Sequence, residues 1–135
     1  MGVLIDASIL IESERGRLDL AVHVARHGDE EAFLSVVTAS ELLHGVHRAT
    51  MPDVRARRAA FVEGVLERFS LLSVDLACAR AHAQLWAELL QAGAVIGPHD
   101  LWLAATCVAH GLTMVTGNTR EFARVPGLDL EVWAD

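Results

Sequence analysis

Three acidic residues, far apart in the sequence, occupy comparable positions at the ends of predicted structural elements. Asp6 ends an apolar run, Glu41 lies one turn into a predicted helix, and Asp100 opens the helix before the last inner strand. In a parallel sheet such positions meet at one edge, where open α/β sheets place their active sites. Converging carboxylates repel each other unless a cation binds them, and oxygen ligands favour Mg²⁺ or Mn²⁺. The pattern therefore predicts metal-dependent hydrolysis of a phosphodiester.

Each of these acids also has a purely structural interpretation, because acidic side chains favour the starts of helices. Asp6 is a good N-cap, Glu41 completes a capping box with Thr38, and Asp100 falls in a first turn. The other glutamates fall on predicted solvent faces or in loops, so no other acids follow the strands so consistently. That placement favours a common site over three independent helix caps.

The elements that would position these acids alternate between strand and helix, which predicts a parallel sheet covered on both faces. Strands are predicted over residues 3–5, 33–37, 71–74 and 112–115, with an edge strand at 128–132. Helices are predicted over residues 8–13, 18–26 and 76–90. Three further helices are predicted to begin at residues 38, 52 and 98, and a single helical turn is predicted at 121–122. We expect one three-layer α/β/α domain over residues 1–135, with a central, mostly parallel sheet.

Two of the predicted helices carry apolar stripes that indicate which faces are buried. Leu101, Ala104, Ala105 and Val108 recur at helical spacing, and their small size lets a helix lie close to a sheet. In the preceding helix the apolar stripe runs through Ala79, Ala83, Trp86 and Leu90.

The composition excludes several classes of phosphate-handling enzyme. The formal net charge is −7, and every basic residue is an arginine. P-loop NTPases, kinases, dehalogenase-type phosphatases and response-regulator receivers all need a lysine beside their phosphate. No apolar run reaches the roughly 18 residues of a membrane span, and the N-terminus lacks the basic region of a signal peptide, so we expect a cytoplasmic protein. Cys78 and Cys107 show no metal-ligand spacing and are expected to be buried free thiols.

An ordered set of motifs resembles the PIN-domain nucleases. The three acids lie in a hydrophobic-Asp-Ala-Ser motif at residues 4–8, Thr-x-x-Glu-Leu-x-x-Gly at 38–45 and Asp-x-x-x-Ala-Ala at 100–105. His-Gly-Leu at 110–112, Val-Thr-Gly-Asn at 115–118 and the stretch 121–128 extend the match over nearly the whole chain. The last stretch is especially similar to the VapC toxins of bacterial toxin–antitoxin pairs.

The resemblance implies a Mg²⁺-dependent endoribonuclease that a VapB-type antitoxin keeps inactive. By correspondence with the family motifs, Asp6 and Asp100 are metal ligands, and Glu41 binds a second ion or positions the attacking water. Family members often have a fourth acid after the last inner strand. Here that region offers Asn118 or Glu121, and the sequence leaves open which of them takes this role.

Several further residues are candidates for supporting roles. The hydroxyls of Ser8 and Thr116 are expected to hold the metal-binding acids in place, as neighbouring groups do at metal sites, or else to serve a helix cap and a strand end. Arginines suit a phosphate backbone. The candidates are Arg120 and Arg124 beside the site, followed by Arg55, Arg57 and Arg58 on one helix.

The partner expectations also follow from the family resemblance. We expect a homodimer formed through helices beside the site, and two such dimers joined by antitoxin. The antitoxin is expected to lay a helix in an apolar groove of the first four helices and to place a basic side chain near Asp6 and Asp100. Apolar residues near that groove are Leu18, Val22, Val54 and Phe61.

Two alternative functions share the same predicted fold. One is a catalytically silent PIN-like binding or scaffold module, which Asn118 at the position of an expected acid would favour. The other is a PIN nuclease that acts in RNA processing or on DNA.

The histidines His44 and His47 follow Glu41 at helical spacing, but solvent exposure is the favoured interpretation over a zinc site. For Trp86 and Trp102, core or interface packing is favoured over base stacking.

Overall fold

The computed structural model describes residues 2–135, and their five strands form one sheet in the order β3-β2-β1-β4-β5. Every neighbouring pair is parallel. The strands are β1 (Val3–Ile5), β2 (Ala32–Ser35), β3 (Ser70–Leu72), β4 (Thr113–Val115) and β5 (Leu130–Glu131). The predicted α/β class is confirmed, and the sheet is wholly rather than mostly parallel.

Helices cover both faces of this sheet. They are α1 (Ala7–Glu14), α2 (Leu20–Arg26), α3 (Val36–Arg48), α4 (Pro52–Arg68), α5 (Leu76–Ala92), α6 (Pro98–His110) and the short α7 (Thr119–Phe122). Along β1, Val3 and Ile5 join the apolar cluster that includes residues of α1 to α4, whereas Leu4 joins the cluster that includes α5 and α6. The alternation of a strand's side chains thus separates two cores, which gives the predicted three layers. None of the helices in the described chain is long and apolar enough to cross a membrane.

The start of α3 differs from the prediction. The second strand ends at Ser35 rather than at residue 37, and the Ser35 hydroxyl accepts a hydrogen bond from the Val37 N–H at 3.0 Å. The predicted capping box of Thr38 and Glu41 is therefore wrong, because the helix is already capped three residues earlier. This leaves Glu41 in the second turn of α3, where a helix start no longer explains an acid.

The two apolar stripes predicted for α5 and α6 have different outcomes. On α6, Leu101, Ala104 and Ala105 are buried as predicted, although Val108 is exposed. On α5 the prediction is wrong: Trp86 and Leu90 are exposed, and the buried stripe is Cys78, Leu85 and Leu89. The α5 helix thus has apolar side chains on two faces, and only one face packs against the core.

Candidate active site

The central strands and the helices around them bring the three predicted acids together. Asp6 directly follows β1, Asp100 lies in the first turn of α6, and Glu41 lies on α3. Strands β1 and β4 are parallel neighbours, with Ile5 opposite Val115, so their carboxyl ends share one edge of the sheet. The charges of the three acids are close enough to affect one another. The structure therefore brings the three predicted acids to the same region of the sheet edge, where the charge of Asp6 acts on both Glu41 and Asp100.

Asp6 is the most firmly held of the three acids. Its Oδ2 atom accepts hydrogen bonds from the hydroxyls of Ser8 and Thr116, each at 2.8 Å. Both hydroxyls also accept backbone N–H donors, from Gly117 at 3.1 Å for Ser8 and from Asn118 at 2.9 Å for Thr116. Because each hydroxyl oxygen accepts a backbone N–H, its own proton is directed towards the Asp6 carboxylate. The Asp6 side chain makes no hydrogen bond to cap α1, so capping does not explain it.

Glu41 and Asp100 lie in a strongly acidic and partly buried environment. Burial first, and then the negative charges of Asp6 and Glu121, raise the pKa of Asp100 to about 7. Burial and Asp6 also raise the pKa of Glu41, against a smaller opposing effect of His99. Within the described chain, the Glu41 Oε1 atom is buried and has no hydrogen-bond partner. The protein supplies too little positive charge and too few donors for these acids.

A fourth acid, Glu121, lies beside Asp100. One of its oxygens accepts the Gly97 N–H just before α6, and the other accepts the side-chain amide of Asn118 at 3.1 Å. The Gly97 bond, followed by weaker contributions from Asn118 and Asp100, lowers the pKa of Glu121. Of the two residues that the sequence left open, Glu121 therefore reaches the acidic cluster, and Asn118 supports it.

The donor set fits a divalent cation bound through oxygen. Carboxylate oxygens dominate the site, and ions such as Mg²⁺ and Mn²⁺ prefer such ligands. The unpartnered oxygen of Glu41 and the raised pKa of Asp100 both indicate that a positive charge is needed there. A Cβ atom at Gly97 would be in ordinary van der Waals contact with both acids, 3.4 Å from Glu121 and 3.7 Å from Asp100.

A groove of about 880 Å³ opens beside Glu41 and is lined by residues of α1, α3 and α4, together with His99. Val54 and Phe61 line it, as expected for an apolar groove. Leu18, in contrast, is buried in the core, and Val22 is exposed on α2. The groove also has a basic component, and its arginines are Arg15, Arg48, Arg57 and Arg58.

Two of these arginines, Arg15 and Arg48, were not singled out from the sequence. Helical spacing could have found Arg48, because Glu41, Gly45 and Arg48 follow at i, i+4 and i+7 and all line the groove. No comparable signal exists for Arg15, which follows the end of α1.

Three of the five arginines predicted to contact phosphate donate hydrogen bonds to the protein's own backbone. Arg55 donates to the carbonyl oxygens of Ala49 and His47, and Arg58 donates to that of Gly45. Beside the acidic cluster, Arg124 donates to the Val95 carbonyl at 3.0 Å. Arg57 and Arg120 are exposed.

The remaining candidates take ordinary structural positions. His44 and His47 are exposed, and no zinc site forms with Glu41 among the described residues. His99 Nδ1 lies 3.7 Å from Glu41 Oε1, and its side chain is largely exposed. Trp102 stacks on the imidazole of His82 at 3.6 Å, a packing role, whereas Trp86 is exposed.

Comparisons with known proteins match most of the chain. The family model described as "PIN domain" matches residues 3–128. Ribonuclease VapC1 of Rickettsia felis is 33% identical over 130 residues, which cover 96% of this chain and 95% of that protein. The tRNA(fMet)-specific endonuclease VapC of Shigella flexneri is 41% identical over 101 residues, or 75% of this chain and 74% of that protein.

A solved structure is also similar over the full fold. It is the crystal structure of VapBC2 from Rickettsia felis bound to a DNA fragment from the promoter. The TM-score is 0.89 at 25% identity, with 98% of this chain and 99% of that chain covered. The likeness thus extends through all layers of the domain.

Proposed function

The chain belongs to the PIN-domain family, and on that premise we propose that it is a metal-dependent endoribonuclease, the toxin of a VapBC-type toxin–antitoxin pair. The observation that carries the proposal is the cluster of Asp6, Glu41 and Asp100 with its unbalanced negative charge. A purely structural cluster would gain stability by losing an acid, whereas a metal-dependent nuclease needs all of them.

In this proposal Asp6 and Asp100 hold Mg²⁺, or Mn²⁺ in its place. The bound ion would supply positive charge to the scissile phosphate and lower the pKa of a bound water. Ser8 and Thr116 fix the orientation of Asp6 through their two hydrogen bonds. Glu121 holds the N–H of Gly97 and so positions the first turn of α6, which carries Asp100.

Glu41 has a separate task in the proposed reaction. Its Oε1 atom has no hydrogen-bond partner among the described residues and the side chain lines the groove, so Glu41 is free to accept a hydrogen bond from the attacking water. The raised pKa of Glu41 also suits a group that takes a proton and returns it. A carboxylate already engaged by hydroxyls, such as that of Asp6, is less suited to this task.

The groove beside Glu41 is the proposed path of the RNA. Its exposed arginines Arg15, Arg48 and Arg57 can contact phosphates, while Arg55 and Arg58 stay bound to backbone oxygens. The Shigella flexneri relative is named a tRNA(fMet)-specific endonuclease, and we propose transfer RNA, in the cytoplasm, as the substrate class of this chain.

The same groove is the proposed seat of a VapB-type antitoxin. Val54 and Phe61 supply apolar contacts for a helix, and the acidic cluster at its end suits a basic side chain of the inhibitor. Exposed apolar side chains on α5, chiefly Trp86 and Leu90, offer a surface for the proposed homodimer. Analytical ultracentrifugation at micromolar concentration tests the dimer, and a clean monomer would count against it.

The decisive experiment incubates antitoxin-free protein with a total RNA pool and sequences the cut ends. We expect a few discrete cuts with Mg²⁺ or Mn²⁺, none with EDTA, and a loss of about a thousandfold or more in the Asp100→Asn variant, as for removal of key electrostatic groups. Asp29→Asn, which alters an exposed loop acid, is the matched control and should cleave like the wild type.

The second candidate function is a PIN-like binding or scaffold module, and the observation in its favour is Asn118 in place of an acid after β4. If folded protein makes no cuts with any metal, this second function replaces the first. Cuts that persist in both EDTA and the Asp100→Asn variant would instead indicate a contaminating nuclease.

A further inference from the structure

A second group of metal-ligating side chains lies where α5 begins and α6 ends. Asp75, Cys78 and His110 each offer one ligand atom, and these atoms all lie within 4.8 Å of one another. Asp75 is the N-cap of α5, Cys78 lies in its first turn, and His110 is the last residue of α6. Two packed helices therefore bring a carboxylate, a thiol and an imidazole together.

Helix capping and a surface ion pair explain only part of this arrangement. One Asp75 oxygen, Oδ1, accepts the Cys78 N–H at 2.8 Å and so caps α5. The other, Oδ2, lies 3.1 Å from the Nε2 atom of His110. Neither contact requires a cysteine, yet the Cys78 thiol lies beside the same carboxylate and, after the backbone bond, helps to lower the pKa of Asp75.

We propose that Asp75, Cys78 and His110 form a binding site for a thiophilic divalent ion of the Zn²⁺ type, with water as the fourth ligand. Zn²⁺ accepts sulfur, nitrogen and carboxylate ligands together in tetrahedral sites, whereas a thiolate disfavours Mg²⁺. Binding displaces the thiol proton of Cys78, which passes to solvent.

Access to the site is one-sided. The side chains of Asp75 and His110 are 48% and 33% exposed, whereas Cys78 is fully buried. The ion would therefore enter past the carboxylate and the imidazole and meet the sulfur at the back of the site. A site that is buried on the side of the sulfur and open to solvent on the other side suits three protein ligands and one water.

This site is separate from the carboxylate cluster and does not depend on the proposed nuclease function. His110 and Asp100 lie at opposite ends of α6, about 15 Å apart along the helix axis at the usual rise per residue. A bound ion would join the start of α5 to the end of α6 and stabilise the layer that carries Asp100. The two sites also prefer different metals, since one offers sulfur and the other offers oxygen.

Co²⁺ is the probe that tests this site, because thiolate ligation gives a sulfur-to-cobalt charge-transfer band in the near ultraviolet. The full-length, reduced protein is titrated with Co²⁺ under saturating Mg²⁺, which occupies the oxygen site. We expect one equivalent to produce the band in the wild type, and none in Cys78→Ala. His110→Ala should weaken Co²⁺ binding by at least about tenfold, as loss of a metal-site partner does.

The chain contains a matched control, since Cys107 is also a buried cysteine. Its thiol contacts the Met114 sulfur at 3.6 Å and is not part of the group. Cys107→Ala should therefore keep the band. At a fixed Zn²⁺ concentration, the metal should raise the melting temperature of this variant and of the wild type equally, and that of His110→Ala less.

Three results would overturn the proposal. They are the absence of a charge-transfer band in the wild type, a band that disappears in Cys107→Ala but persists in Cys78→Ala, and unchanged Co²⁺ affinity in His110→Ala. If Cys78→Ala does not fold, as circular dichroism would reveal, His110→Ala decides alone, because that side chain is exposed at a helix end.

Discussion

The acids of the carboxylate cluster are held in two contrasting ways. Asp6 is only 6% exposed, and two hydroxyls donate to one of its oxygens. Glu41 has a buried oxygen without a partner in the described chain, and burial raises the pKa of both Glu41 and Asp100. The fold thus provides hydrogen bonds for one acid and leaves the charge of the other two unbalanced.

This difference distinguishes the acid that fixes the geometry of the site from the acids that require a ligand. A buried polar atom without a partner costs about 1–3 kcal/mol, so proteins keep such atoms mainly where something else supplies the partner. The anchored acid, Asp6, sets the position of the site. The unbalanced acids, Glu41 and Asp100, are the groups to which a cation and a water would bind.

Among variants that leave Asp6, Glu41 and Asp100 in place, removal of both anchors from Asp6 has the largest expected effect. The Ser8→Ala, Thr116→Val double variant deprives the carboxylate of its two hydroxyl donors and frees it to rotate. We expect RNA cleavage at fixed Mg²⁺ to slow by about 10- to 100-fold, the usual effect of losing groups that orient a metal ligand. The control is Ser73→Ala, an exposed serine between β3 and α5. Equal rates in the two variants would show that Asp6 needs no anchors.

The next effect concerns Glu121, which ties the start of α6 to the loop after β4. Glu121→Ala leaves the N–H of Gly97 without its acceptor but also relieves the repulsion between Glu121 and Asp100, so we expect a net loss of about 1 kcal/mol in the free energy of unfolding. Glu121→Gln keeps an acceptor oxygen and should lose less than half of that. Urea denaturation in EDTA measures both, and equal losses would mean that the hydrogen bond contributes little.

The unbalanced charge of Asp100 predicts a pH dependence of stability in the metal-free protein. The folded state raises the pKa of Asp100 from 3.8 to about 7, so the folded protein binds more protons than the unfolded chain between these values. The contribution of Asp100 to the free energy of unfolding is therefore highest below the unfolded pKa of 3.8. It falls as the pH rises from there to about 7 and changes little above that. After allowance for solvent screening, we expect a loss on the order of 1–2 kcal/mol.

Thermal melts in EDTA from pH 5 to pH 8 test this dependence. The melting temperature of the wild type should fall toward pH 8, that of Asp100→Asn should fall less, and Mg²⁺ should restore the wild type. Asp6→Asn also removes a negative charge from the cluster, which by itself would stabilise the folded state. The two hydroxyl contacts of Asp6 now predict a smaller gain or a loss. A greater gain for Asp6→Asn than for Asp100→Asn would contradict the contrast between the acids.

The fold and the cluster of acids could be predicted because their signals are local. Alternating short apolar runs and helical stripes indicated a parallel sheet, and acids that follow the strands indicated the site. The start of α3 was missed because Ser35 and Thr38 are both good N-caps, while the β-branched Val36 and Val37 suggest a strand.

Other features depend on tertiary geometry that the sequence does not reveal. Asn118 and Glu121 both follow β4, and only the turn of α7 determines which of them reaches Asp100. Trp86 and Leu90 share helical spacing with buried neighbours on α5, and the choice of buried face depends on what packs against it. The group of Asp75, Cys78 and His110 joins two helices whose contact no spacing rule predicts.

Two fully buried threonines give a further contrast, in which loss of the Thr38 hydroxyl has the smallest expected effect. The Thr116 hydroxyl donates to Asp6 and accepts the Asn118 N–H, whereas that of Thr38, one turn before Glu41, has no partner in the described chain. Valine has nearly the same shape as threonine, so each substitution removes only the hydroxyl. Thr116→Val should lose about 1–2 kcal/mol in urea denaturation, and Thr38→Val should gain up to about 1 kcal/mol.

Cleavage rates measured on the same two variants sharpen the contrast. Thr38→Val should cleave RNA at the wild-type rate if its hydroxyl is merely an unsatisfied group. A variant that gains stability but loses cleavage would mean that Thr38, like Glu41, keeps a buried oxygen for a ligand. In that case the set of groups that wait for a ligand extends one turn further along α3. The unpaired hydroxyl of Thr38 would destabilise the free protein and would find its partner only when RNA or a cation is bound.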